Sequence, residues 1–104
     1  MPYIAMNNFQ VSADQTEQFE ERWRKRRSFL QDVPGFKHFQ LLRGDEQEGL
    51  VHYVSHSTWA SKDAFIDWTH SDSFVQAHRG EPIQKGMLQG HPQLECFDVV
   101  DMAD

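Results

Sequence analysis

The sequence predicts an α+β fold of β-α-β-β-α-β order, the ferredoxin-like arrangement in which a four-stranded antiparallel sheet carries its helices on one face. Three observations predict it. Apolar side chains alternate along Tyr3, Ala5, Phe9 and Val11, the period of a half-buried strand. From Phe19 to Val33 the period changes to that of a helix. Two strand-like stretches, 36–43 and 50–59, then flank a short segment rich in Gly and acidic residues, and a second helical pattern and a last strand follow.

The elements are justified in order. Residues 2–11 read as a first strand with Tyr3, Ala5, Asn7, Phe9 and Val11 on one face. Asn7 is the polar member of that face: either a buried amide satisfied by backbone groups or a hydrogen-bond donor aimed into a pocket. Ser12 to Gln15 has the S-x-x-Q form of a capping box and is expected to start a helix running to about Asp32. Its inward stripe is Phe19, Trp23, Arg26, Leu30 and Val33. A charge on that stripe needs a partner. Arg26 either snorkels to a basic face with Arg22, Arg24, Lys25 and Arg27, answered by Glu17, Glu20 and Glu21, or meets the carboxylate of a ligand.

Pro34 and Gly35 stop the helix, Phe36 to Arg43 reads as the second strand, Gly44 to Gly49 as a hairpin turn, and Leu50 to Trp59 as the third strand. His52 and His56 share a face of that strand. At about 3.3 Å per residue they stand roughly 13 Å apart, too far to ligate one ion jointly at bonds of about 2 Å. Ser61 caps the next helix, which carries Ala64, Phe65 and Trp68 on one face and ends near His70. Ser71, Asp72 and Ser73 offer a second N-cap, followed by Phe74, Ala77 and His78 on one face of a second short helix. Trp68 reads as core or as pocket wall, and His78 as a hydrogen-bonded core histidine or as a ligand. Glu81 to Pro92, with two Gly and two Pro, is expected to be a loop, Gln93 to Asp101 the last strand, and 102–104 a tail.

Composition narrows the function classes. A chain of 104 residues predicts one domain over 1–104 and leaves little room to enclose a bulky ligand without a second subunit. A net charge of −6 speaks against general nucleic-acid binding. The single cysteine, Cys96, rules out an intramolecular disulfide and a thiolate metal cluster within one chain. With no signal-peptide pattern and no apolar run of membrane length, a cytoplasmic location and no membrane partner are expected. There is no Gly-rich phosphate loop, nucleophile elbow or H-E-x-x-H motif, and the strand and helix order alone decides no function.

One set of residues carries a resemblance. Asn7 in the first strand, R-W-x-x-R at Arg22 to Arg26, P-G-F at Pro34 to Phe36, F-Q-L-L-R at Phe39 to Arg43, and W-x-S-K-D-A-F-x-x-W followed by S-x-x-F-x-x-A-H over Trp59 to His78 resemble the IsdG-type haem-degrading monooxygenases of the antibiotic biosynthesis monooxygenase superfamily. The resemblance covers nearly the whole chain. It implies a homodimer whose two sheets form an α+β barrel, and it implies oxidative cleavage of haem with release of iron. Haem would be both substrate and cofactor, and dioxygen and electrons from an external donor would be consumed. It further implies that His78 is the axial ligand of the haem iron, that Trp68 presses the porphyrin out of plane, and that Asn7 hydrogen-bonds a ligand of the iron. Trp23 and Arg26 would line the haem pocket. A neutral imidazole suits axial ligation, a helix-borne indole is rigid enough to strain a macrocycle, and a guanidinium suits a propionate. Rival readings are a haem-free oxidation of a small aromatic or quinol-like metabolite, a haem carrier or sensor, and a structural dimeric module.

Overall fold

The computed structural model describes residues 1–26, 30–72, 74–75 and 86–103. Its sheet has the strand order β2-β3-β1-β4 with every pairing antiparallel, where β1 is Tyr3–Ser12, β2 Phe36–Gln47, β3 Leu50–Trp59 and β4 Gln93–Asp98. Helix α1 spans Thr16–Arg26 and α2 spans Lys62–Thr69, so the predicted β-α-β-β-α-β order and ferredoxin-like sheet are observed.

The alternation read from β1 is real: Tyr3, Ala5, Phe9 and Val11 are buried on the face beneath the helices. Two apolar clusters share that face. Phe9, Val11, Val51 and Tyr53 pack with Phe19 of α1 at one end of the sheet. Tyr3 and Trp59 pack with Leu30 at the other, beside Ala64, Phe65 and Trp68 of α2.

Several boundaries differ from expectation, each for a local reason. Ser12 forms no side-chain cap. Its hydroxyl donates to the Gly86 carbonyl, and Ala13–Gln15 makes a 3-10 turn before α1 begins. The helix expected to reach about Asp32 has given way to turns by Leu30, although Leu30 and Val33 still pack under the sheet as the stripe requires. β2 continues through a register shift between Arg43 and Glu46, so the turn shrinks to Glu48 and Gly49. Both have positive φ, 54° and 80°, the two-residue geometry whose twist matches the flanking strands.

β4 ends at Asp98 because that residue faces Tyr3, the first of β1, and only one further bond follows, from Val99 N–H to the Pro2 carbonyl. The described part of the expected loop, 86–92, is irregular as predicted but packed against the sheet. Met87 is 1% exposed within the first cluster, and Leu88 bridges Val11. Backbone bonds from Ser12 to Met87 and from Gln89 to Gln10 tie the segment to the end of β1. None of the described helices is long and apolar enough to cross a membrane.

Candidate functional site

Between the two clusters the inner face of the sheet is interrupted by polar side chains, and a cavity of about 240 Å³ opens there. Asn7 of β1 stands opposite Ser55 of β3 in the ladder, and both line the cavity. Trp23 of α1 forms one wall, stacked on Phe39 with centroids 5.4 Å apart and planes 21° apart. Trp68 and Phe65 of α2 form the other.

The sequence positions Trp68 through two serine caps. Ser61 accepts a hydrogen bond from the Ala64 amide at 3.2 Å and starts α2. Ser71 donates to the Trp68 carbonyl at 2.6 Å and accepts from the Phe74 amide at 3.2 Å, so the expected second cap forms. Phe74 thereby meets Trp68 edge-on at 4.9 Å, and Trp59 lies beside it at 5.3 Å. Trp59 is itself fixed, fully buried with its indole N–H donated to Ser57 at 2.9 Å. A large planar side chain is thus held between two others on the cavity wall.

Among the described residues, none that lines the cavity titrates near neutral pH. The Asn7 carbonyl oxygen is buried without a hydrogen-bond partner among the described residues. Such an acceptor costs on the order of 1–3 kcal/mol, a cost that a bound donor removes. Ionisable groups gather instead along α1, where Glu20 accepts from Tyr53 at 2.5 Å and pairs with Arg43 at 3.0 Å. Burial first, and the Glu20 hydrogen bond second, push the Tyr53 phenol above its ordinary range.

The structure therefore brings Asn7, Trp23 and Trp68 to one cavity. Arg26 is the last residue of α1, and its side chain lies outside the described residues, as does the whole of His78. His52 and His56 occupy the opposite face of the sheet, where His52 Nε2 is 2.9 Å from Asn8 Oδ1. Among the described residues no group of three or more His, Cys, Asp or Glu could hold a metal ion. Sequence reasoning missed Ser55 and Trp59. The signal was available, since both have the parity of Val51 and Tyr53 along β3. Chemically, the cavity suits a flat, largely apolar ligand that offers a polar group to the sheet floor.

Known proteins share this architecture. The chain is 32% identical over 88 residues to the mycobilin-producing heme oxygenase of Mycobacterium tuberculosis, covering 83% of this chain and 82% of that protein. It is 29% identical over 79 residues to a staphylobilin-producing heme oxygenase of Staphylococcus aureus, covering 76% and 73%. The structure of the heme-degrader MhuD from Mycobacterium tuberculosis with two hemes bound in its active site matches at a TM-score of 0.70 and 29% identity, over 98% of this chain and 99% of that one. SnoaB, a cofactor-independent oxygenase from Streptomyces nogalater, shares the fold at a TM-score of 0.72 and 20% identity, over 98% and 96%. Residues 2–80 match the model of the antibiotic biosynthesis monooxygenase family, and the chain belongs to that family.

Proposed function

We propose that the protein is a haem-degrading monooxygenase that cleaves the haem macrocycle oxidatively and releases iron. The observation that carries this reading is the cavity: indoles on facing walls and, on the sheet floor between them, the buried Asn7 carbonyl, which has no hydrogen-bond partner among the described residues. A porphyrin is flat and apolar over most of its surface, and the named relatives act on or bind haem. Haem supplies the redox-active iron and is itself the molecule cleaved, with dioxygen and electrons from an external donor consumed.

The chain's own residues bind and orient. His78 holds the iron through a neutral imidazole, and Arg26 pairs with a propionate. Trp23 packs against the ring from the α1 side. Trp68, backed by Trp59, presses on the macrocycle from the α2 side. Asn7 orients a ligand of the iron from the sheet floor. A porphyrin exceeds the present cavity, so binding requires a wall to move outward. α2 is suited to this, because it buries none of its residues completely. Two copies pair through the open faces of their sheets to form a barrel. Leu42 and Phe97, 42% and 48% exposed, point to that face. The enzyme works in the cytoplasm with a reductant or reductase as electron source.

The test is a visible titration with hemin, followed by ascorbate in air with catalase present. A saturable Soret band at one haem per chain that decays to a bilin-like spectrum is expected. A band that forms and persists makes the protein a carrier or sensor, and the lack of a specific band removes the haem reading. His78→Ala is expected to abolish turnover; normal breakdown by that variant would sink the ligand assignment.

A further inference from the structure

The side-chain oxygens that line the cavity fall into two groups by their bonding. Ser57 Oγ donates to the Ala5 carbonyl at 3.2 Å and accepts from Trp59 at 2.9 Å, so its capacity is used within the fold. Thr69 donates to the Ile66 carbonyl at 2.6 Å, a bond within its own helix. Asn7 and Ser55 differ. The Asn7 carbonyl has no donor, and Ser55, only 8% exposed, makes no side-chain hydrogen bond among the described residues.

The two are direct partners across the β1–β3 ladder and face the same cavity. Opposed residues on one face have Cβ atoms about 4.5–5.5 Å apart. One oxygen atom bonded to both side chains at about 2.8 Å spans such a gap. The carboxamide oxygen only accepts, whereas the hydroxyl donates and accepts. The matching molecule therefore donates to Asn7 and exchanges a hydrogen bond with Ser55. A cavity of about 240 Å³ has room for it, since one water occupies about 30 Å³.

We propose that Ser55 is a ligand-binding residue of this cavity, its hydroxyl acting with the Asn7 carboxamide to hold one small hydrogen-bonding molecule against the sheet floor. In the haem-free protein that molecule is water. In the haem-loaded protein, and here the inference rests on the proposed function, it is a small ligand of the iron; a ligand without a hydrogen, such as fluoride, accepts from the Ser55 hydroxyl and from the NH2 end of the Asn7 carboxamide.

The first test is a pair of high-resolution crystal structures of the haem-free parent and Ser55→Ala. An ordered water bonded to both Asn7 and Ser55, and lost in the variant, is expected; no such water in the parent, or the same water in the variant, overturns the proposal. The second is fluoride binding to the ferric haem complexes of the parent, Ser55→Val and Ser55→Thr. Valine is expected to weaken fluoride roughly five- to ten-fold, the worth of one hydrogen bond, and threonine to restore it. Equal fluoride affinity in the parent and the valine variant refutes the role at the iron. A parent protein that takes up no hemin overturns the haem reading instead, and the water structures then decide Ser55 by themselves.

Discussion

Tyr53, 1% exposed on β3, donates its phenolic hydroxyl to Glu20 Oε2 on α1 at 2.5 Å and so ties the helix to the sheet. Tyr53→Phe keeps the ring packed on Phe19 at 4.9 Å and removes this bond together with the weaker interaction of the phenol with Arg43. The expected loss is about 1 kcal/mol in urea unfolding. The same bond sets a pH dependence. The folded phenol titrates above its ordinary value of 10.0, so its stabilising contribution is complete below about pH 10 and is lost as pH rises through the higher folded value. The Phe variant is expected to lack that alkaline component, and an identical alkaline unfolding profile would contradict the assignment.

Asn7 is expected to carry opposite effects on stability and function. Asn7→Leu removes a buried carbonyl that has no protein donor among the described residues, and with it the need to immobilise the proposed water, and is expected to raise the stability of the haem-free protein by about 1 kcal/mol, read as a higher midpoint of thermal unfolding. Haem breakdown is expected to slow on the order of ten-fold, the loss of one orienting hydrogen bond. A variant that is both less stable and fully active would reverse the argument.

The two neighbouring indoles, Trp59 and Trp68, separate in the same way. Trp59 is 0% exposed in the core, and Trp59→Ala is expected to cost about 3–5 kcal/mol. Trp68 is partly buried on the cavity wall, so Trp68→Ala is expected to stay folded and bind haem while degrading it more slowly. Equal rates for Trp68→Ala and the parent, measured by decay of the Soret band, would remove distortion by this residue from the mechanism.

Glycines of the same φ are expected to respond differently. Gly35 has φ +81°, and a Cβ there would lie 2.4 Å from the Ala64 Cβ of α2. Gly49 has φ +80° and nothing within 4 Å. Gly35→Ala is expected to cost about 3 kcal/mol or more, combining backbone strain with overpacking, and Gly49→Ala about 1 kcal/mol. Equal costs, compared by denaturant midpoint, would mean that the close approach of α2 to this turn is unimportant.

The sequence by itself determined the order of the elements, the buried parity of β1 and the serine caps around Trp68, because each depends on periodicity or hydrogen bonds within a few residues. It also singled out Asn7, Trp23 and Trp68, three side chains from separate elements that line one cavity. Only the tertiary structure decided the rest. Ser12 has the residue type of a cap, but its hydroxyl serves Gly86, far away in the chain. Met87 lies among Gly, Gln and Pro, yet it is core because the segment folds back against β1. Ser55 acquires meaning from facing Asn7 across the ladder, and the register of a sheet is a non-local property, set by the packing of one whole face.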